Sequence, residues 1–384
     1  MAKRDPGLDD NQNNMRAKRI RDRVFVVFLS TLLSLTLSFF PKHISAEERP
    51  SEKAVEPVTL RWAQQGPQTG VHSKIILWMG REIEKHTEGR IKIQMKWNAD
   101  LTKEREILGA TMTGNYHMGT IDVADYPRQL FTWGIFNAFM IGPSDPFIVS
   151  EIKQVCIKQI PAFNAELERW NQRLITFFNY LPSVISLTRP ITSINHIKGR
   201  RIGASSIWLL AMLEAIGARG VSIPGPGSYA ALERGSIDGY LSSLDHYYRY
   251  SLDEVVKNYL FSKNQWQPQP VLVTVNRDVW NALLEADRKI IVDIGKKALK
   301  LQNKLSRDFG DLYMSDMKKR SNAVFTEMPE TELKTWAELP AVKELPQQWV
   351  KEAKAAGLPA NEILELVKKK IQQGLLKEQQ RSER

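Results

Sequence analysis

The chain has 384 residues, a formal net charge of +11, 42% hydrophobic residues and a single cysteine. One cysteine excludes an intramolecular disulfide. The positive charge is spread along the chain and not gathered into one patch, which argues against a nucleic-acid binder and for a solvated basic surface.

The first predicted element is a secretory signal. Arg16, Lys18, Arg19, Arg21 and Arg23 form a positive segment, Val24–Phe40 is uncharged, and Ile44-Ser45-Ala46 offers a cleavage site. Ser30, Thr31, Ser34, Thr36 and Ser38 dilute the apolar run, whereas a membrane span wants about 20 predominantly apolar residues. A cleaved signal over residues 1–46 is expected, with an uncleaved anchor as the alternative. Met15 is a second candidate start, and no cysteine lies nearby to carry a lipid. Residues 1–46 hold eight Lys/Arg and four Asp/Glu, so 338 residues with a charge of about +7 remain after cleavage.

Residues 47–57 read as a linker. Thr59–Gln64 reads as a strand, and Val71, Ile75, Ile76, Met79 and Ile83 make a helical stripe that ends at Gly89. Ile91, Ile93, Met95 and Trp97 alternate with Lys92, Gln94 and Lys96, the pattern of a half-exposed strand. Thr102 is the expected cap of a helix carrying Ile107, Leu108 and Met112, and Gly119–Val123 is the next strand. This alternation predicts an α/β lobe with a largely parallel sheet over residues 58–181. Cys156 lies in the apolar-periodic stretch Ile148–Ile160 and reads as core.

A second lobe is predicted over 182–270. Its strands are Val184–Arg189, Arg201–Ala204 and Val221–Ile223; its helices are Ser206–Ile216, Ser228–Arg234 and Leu244–Asn258. Residues 271–339 return to the first lobe through Val271–Val275. They continue in a long helix with Ile291, Ile294, Ala298, Leu305, Phe309 and Leu312 at mostly three- and four-residue steps. Residues 340–384, punctuated by Pro340, Pro346 and Pro359, form a C-terminal helical extension whose basic tail, Lys368 to Arg384, is expected to be disordered.

The segment from Pro190-Ile191-Thr192-Ser193 to Lys198-Gly199-Arg200-Arg201-Ile202, then Ile223-Pro224, Tyr229 to Gly235, and Asp238-Gly239, carries a family resemblance. It resembles the DctP-type solute-binding subunits of tripartite ATP-independent periplasmic (TRAP) transporters. Their pattern runs P-I-x-S-x-x-D-L-K-G-x-K-I-R, then P-x-x-E-x-Y-x-A-L-Q-x-G-x-V-D-G. His72 through Gly89-Arg90-Ile91, Thr113-Gly114, Met118-Gly119, Asp122, and Asn276 through Trp280 extend the resemblance over roughly residues 59–339. It implies an α/β, two-lobed periplasmic-binding-protein fold with a central ligand cleft, hinge segments and a long helix spanning both lobes. The implied role is a periplasmic receptor that captures a small organic solute by cleft closure and delivers it to TRAP-type membrane permease subunits. No cofactor, metal or nucleic acid is implied, and membrane contact is expected only through the permease or an uncleaved signal anchor.

The ligand site departs from the family. The arginine that grips the solute carboxylate falls on Gly203, the ligand-contacting asparagine on Ser242, and the second arginine of acidic-sugar binders on Ser183. A charge-assisted hydrogen bond is worth about 1.5–3 kcal/mol. Its loss calls for a replacement cation, a metal, or a solute without a carboxylate. Tyr126, Phe177, Phe178, Tyr180, Trp208, Tyr229, Tyr240, Tyr247 and Tyr248 lie in or near segments that face the family's cleft. That aromatic supply favours the third option, a neutral or weakly polar, partly apolar solute. The candidate ligand-binding residues are Asp122, Tyr126, Tyr180, Ser183, Ser205, Trp208, Tyr240, Ser242 and Asp245. Competing structural roles are a solvated strand end for Asp122, a helix staple for Trp208, and N-capping for Ser205 and Ser206.

Catalysis is not expected. The six histidines show no H-E-x-x-H spacing, and no nucleophile elbow, Walker loop or dinucleotide fingerprint occurs. Asp238, His246 and Ser243 form a triad only on paper. The alternatives are a periplasmic ligand-sensing module on the same fold and a small-ester hydrolase.

Overall fold

A computed structural model describes residues 56–64, 66–97, 106–266 and 270–383. The expected signal, most of the 47–57 linker and the Thr102 cap lie outside the described residues. β1 (Val58–Gln64) leads to α1 (Gly70–His86), whose Val71, Ile75, Ile76, Met79 and Ile83 are buried as their spacing requires. β2 (Ile91–Trp97), α2 (Ile107–Met112) and β3 (Met118–Asp122) follow. Then come α3 (Pro146–Gln159), α4 (Ala162–Arg169) and β4 (Gln172–Asn179). Asp145 caps α3 by accepting from Phe147 and Ile148 N–H, with Pro146 in the first turn. Cys156 on α3 is fully buried, and burial pushes its thiol up to about 12.

The chain then builds a second sheet. β5 (Ser183–Leu187), β6 (Arg201–Ala204), α5 (Ile207–Ala215), β7 (Arg219–Ser222), α6 (Ser228–Glu233), β8 (Gly239–Ser243), α7 (Leu244–Arg249) and β9 (Asn258–Phe261) come in order. The predicted helix Leu244–Asn258 is therefore not one helix. It stops at Arg249, Ser251 takes a left-handed conformation at φ +51°, and the chain re-emerges as β9 between β5 and β11 (Val324–Glu327). β10 (Pro270–Asn276) returns to the first sheet, followed by α8 (Arg277–Ala282) and the 37-residue α9 (Glu285–Ser321).

The first sheet has the order β2-β1-β3-β10-β4, with β1 parallel to β2 and β3 and β10 antiparallel to β3 and β4. The second runs β11-β9-β5-β8-β6-β7, with β8, β6 and β7 parallel and β5 antiparallel to both neighbours. Both are mixed, in keeping with the expected α/β architecture, but the first sheet is not largely parallel as expected: β10 returns antiparallel between β3 and β4. At 1.5 Å per residue α9 is about 55 Å long, and it packs on α1, α3, β4 and α7. Its buried face is apolar at Ile291, Ile294 and Ala298, polar at Gln302, Asn303 and Ser306, and apolar again at Tyr313 and Met317. Leu312, expected on that face, is exposed. The polar stretch meets the end of β4: Gln302 Nε2 donates to Asn179 O at 2.9 Å, and Ser150 Oγ to Asn303 Oδ1 at 2.9 Å. The buried Lys153 amine donates to Asn179 Oδ1.

After β11 come α10 (Glu330–Ala337), α11 (Pro340–Lys343), α12 (Leu345–Ala355) and α13 (Ala360–Ser382). The tail expected to be disordered is instead helical as far as Ser382. Ile363, Val367 and Ile371 bury one face of α13, and Gly374 lies so close to α3 that a Cβ would meet Ile152 Cδ1 at 2.8 Å. Glu378 accepts from Ser144 N–H and Oγ, Asp145 N–H and Asn264 Nδ2. The lysines at 368–370 decorate the outer face of a packed helix, the ordinary distribution of an amphipathic element. No helix of the described residues is long and apolar enough to cross a membrane.

Candidate functional site

A polar cavity lies where the carboxyl ends of several strands from both sheets converge. β1 supplies Gln64, β3 supplies Thr120 and Asp122, and β10 supplies Val271. The β4–β5 joint supplies Tyr180, and α1 supplies His72. From the other sheet come Ser205 after β6, Ser242 and Ser243 at the end of β8, and His246 and Arg249 on α7. Carboxyl strand ends are where α/β folds bind ligands, because side chains there project past the sheet without interrupting its ladder.

Asp122 Oδ1 accepts from Ala124 N–H at 3.0 Å and Oδ2 from the Tyr180 hydroxyl at 2.7 Å. Burial and then Asp122 raise Tyr180 well above its ordinary range, so it stays a neutral donor. His72 Nε2 is 3.1 Å from Asn179 O, and its ring lies 5.1 Å from that of Tyr180. His246 Nε2 is 3.1 Å from Ser228 Oγ. Burial lowers both histidines, His246 to about 3, and Arg249 lowers them further. Both rings are neutral at neutral pH.

Arg249 is the cation of the site. Burial works against its charge, but Tyr250, Tyr180, Asp245 and Asp122 outweigh that and raise it. Its guanidinium lies over the Tyr250 ring at 5.5 Å, and its buried Nε has no hydrogen-bond partner among the described residues. Its stem occupies a slot left by two glycines with positive φ. A Cβ on Gly70 (φ +84°) would stand 2.7 Å from Arg249 Cγ, and one on Gly66 (φ +86°) 2.1 Å from Nη2.

Of the sequence candidates, Asp122, Tyr180, Ser205 and Ser242 line the cavity together. Asp245 stands just behind it, buried, with Oδ1 accepting from Leu181 N–H at 3.2 Å. The other four do not line it. Tyr126 is buried and its hydroxyl accepts from Leu108 N–H. Ser183 is fully buried opposite Ser243 in the β5–β8 ladder. Trp208 packs its indole nitrogen against Gly134, so the helix-staple role fits its position. Tyr240 is buried with its hydroxyl donating to Ile223 O at 2.8 Å. Ser206 is the N-cap of α5 but makes no side-chain capping bond.

Of the aromatic residues on which the neutral-solute reading drew, Tyr180 lines the cavity and most others are placed elsewhere. Phe177, Phe178 and Tyr247 are core, Tyr248 stacks on Tyr313 at 4.0 Å, and Tyr229 donates to Glu254. The two arginines nearest Gly203 in sequence do not line the cavity either, and Arg201 pairs with Asp238 at 2.7 Å. Arg249, His72, His246, Asp125, Thr120 and Gln64 were not among the sequence candidates. One signal pointed to Arg249: it lies four residues after Asp245 on α7, hence on the same helix face. Among the described residues no three His, Cys, Asp or Glu side chains gather as metal ligands would.

Two α/β lobes, a helix long enough to span them and a polar cavity between their sheets define a solute-binding protein. Residues 63–352 match bacterial extracellular solute-binding protein family 7, DctP, and the chain belongs to that family. It is 24% identical over 237 residues to a solute-binding protein of Albidiferax ferrireducens, covering 56% of this chain and 68% of that one. It is 22% identical over 262 residues to the C4-dicarboxylate-binding periplasmic protein DctP of Rhodobacter capsulatus, covering 67% and 76% respectively. Among solved structures, a marine-metagenome TRAP solute-binding protein in complex with metahydroxyphenylacetate superposes with TM-score 0.73 at 19% identity, over 82% of this chain and 99% of that one. A TRAP periplasmic solute-binding protein from Bordetella bronchiseptica, with bound mandelate, gives TM-score 0.70 at 20% identity, over 83% and 99%.

Proposed function

We propose that this chain is the periplasmic receptor of a TRAP-type transporter. It captures a small organic solute between its two sheets and presents the closed complex to membrane permease subunits. The observation that carries this reading is the cavity itself, whose polar side chains come from both sheets. A solute touching both makes contacts in the closed state that the open state lacks, and only such differential contact can drive closure. The export signal expected from the sequence over residues 1–46 fits this location. The solutes named for relatives, aromatic acids and dicarboxylates, make a small organic molecule the expected ligand class.

The family and fold are those of binding proteins. Asp238 is committed to Arg201, and His246 faces Ser228, so the paper triad with Ser243 is not assembled. A thermal-shift screen of the chain from Glu47, unfolded and refolded to strip carried ligand, tests the receptor reading. A ligand at about 100 times its Kd adds about 2.7 kcal/mol, a shift of several degrees. A screen of organic acids, amino acids, polyols and aromatics in which nothing shifts the protein overturns the reading.

A further inference from the structure

Resting on that receptor reading, we propose that Arg249 and Tyr250 form a latch between the lobes. They close into a receptacle built by the β1–α1 loop at Gly66 and Gly70, so that affinity depends on them whatever the charge of the solute. Each half of the contact is held by its own lobe. In the first lobe, Ser73 Oγ donates to Pro67 O at 2.9 Å and ties the loop to the first turn of α1. In the second, α7 is pinned to its sheet: the Tyr247 hydroxyl donates to Val184 O at 3.2 Å, and His246 Nε2 lies 3.1 Å from Ser228 Oγ. The end of α7 and the loop therefore meet when the lobes come together.

The receptacle exists because two side chains are missing. Gly66 and Gly70 have φ of +86° and +84°, a region that glycine enters without steric cost. A Cβ on Gly70 would stand 2.7 Å from Arg249 Cγ and 3.0 Å from Cδ. One on Gly66 would run into Arg249 Nη2 and stand 3.2 Å from the Tyr250 hydroxyl oxygen. Neither glycine lines the cavity, so the slot serves the arginine and not the solute. Burial works against the guanidinium charge, but Tyr250, Tyr180, Asp245 and Asp122 outweigh it. Asp245 lies four residues back on α7 and Asp122 stands across the gap at the end of β3. The latch thus has counter-charges within the protein and calls for none from the solute. A ligand that binds the closed form has an apparent affinity proportional to the fraction closed, and contacts between the lobes raise that fraction for every solute alike.

The test is small-angle X-ray scattering of the stripped chain from Glu47 without solute, followed by isothermal titration. Arg249→Ala and Gly70→Ala, checked for native circular dichroism, are each expected to have a larger radius of gyration than the parent. The double variant should be no larger than the larger single one. Gly89→Ala, at a glycine of positive φ whose Cβ would meet nothing within 4 Å, is expected to match the parent. Arg249→Lys, which keeps stem and charge, should match it too. Succinate, mandelate and pyroglutamate serve as anionic probes, and glucose and benzyl alcohol as uncharged ones. Every probe that binds the parent is expected to weaken by at least about threefold in both alanine variants, anions and uncharged probes alike. If Arg249→Ala does not fold, Gly70→Ala, which leaves the cavity lining intact, decides. Equal radii in the parent and the variants overturn the inference, as does a loss of affinity confined to anions; both leave the receptor reading intact. If no probe binds, the radii alone decide the inference, and the wider thermal-shift screen decides the receptor reading.

Discussion

Gly203 and Tyr240 share one space. A Cβ on Gly203 would stand 2.6 Å from Tyr240 Cδ2, and the tyrosine is locked there by its hydroxyl bond to Ile223 O. The position to which the family resemblance assigns a ligand-gripping arginine is thus filled from the adjacent strand by an aromatic ring. The cation of the site enters from α7 instead, as Arg249. Restoring an arginine at position 203 is therefore not a repair. Gly203→Arg is expected to destabilise the protein by at least about 1–3 kcal/mol through overpacking. In a Tyr240→Ala background, Gly203→Ala should cost less than in the parent by about 0.5 kcal/mol or more, read from denaturant midpoints.

The glycine slot around Arg249 has its own test. Gly70 and Gly89 both have positive φ, but a Cβ at Gly89 meets nothing within 4 Å whereas one at Gly70 runs into the Arg249 stem. Gly89→Ala should cost about 1 kcal/mol from the backbone alone. Gly70→Ala should cost at least about 1 kcal/mol more, and the excess should shrink in an Arg249→Ala background.

Glu166 gives a pH signature. It is 2% exposed and accepts from Thr132 N–H and Oγ1. Burial raises its carboxyl to about 7 from an ordinary value of 4.5, against the pull of Thr132 and Arg169. A native pKa above the unfolded one means the contribution is fully present below about pH 4.5 and is lost as pH rises to about 7. The stability of the parent relative to Glu166→Gln should fall over that window by up to about 1.4 kcal/mol per pH unit and stay level outside it. Chemical denaturation at half-unit pH steps measures the difference.

The C-terminal helix is a structural part of the fold. Ile371 is 4% exposed on α13, so Ile371→Ala should cost about 2–5 kcal/mol. Glu378→Ala should cost at least about 1.5 kcal/mol, since it strips an acceptor from four donors. Truncation after Ser382 should leave the melting temperature unchanged.

Periodicity made the architecture legible. The Ile91–Trp97 alternation and the Val71–Ile83 stripe became β2 and α1, because burial of one face dictates both spacing and element. β9 was hidden because its four residues follow a left-handed turn at Ser251, and nothing local distinguishes them from a continuing helix. The α13 tail misled through composition: its charge is real, but every third or fourth residue is apolar and buried. At the site, Asp122, Tyr180, Ser205 and Ser242 were legible because strand ends point into clefts. Arg249 was not, because its position depends on glycines at 66 and 70, nearly two hundred residues away, leaving room for it.

The measurement that bears most directly on solute capture is small-angle X-ray scattering of the stripped chain from Glu47, with and without the solute returned by the thermal-shift screen. A chain of this length has a radius of gyration of about 20 Å. The account predicts that this radius falls when the solute saturates the cleft, and that the fall follows the binding isotherm. An unchanged radius at full saturation would contradict capture by closure between the two sheets.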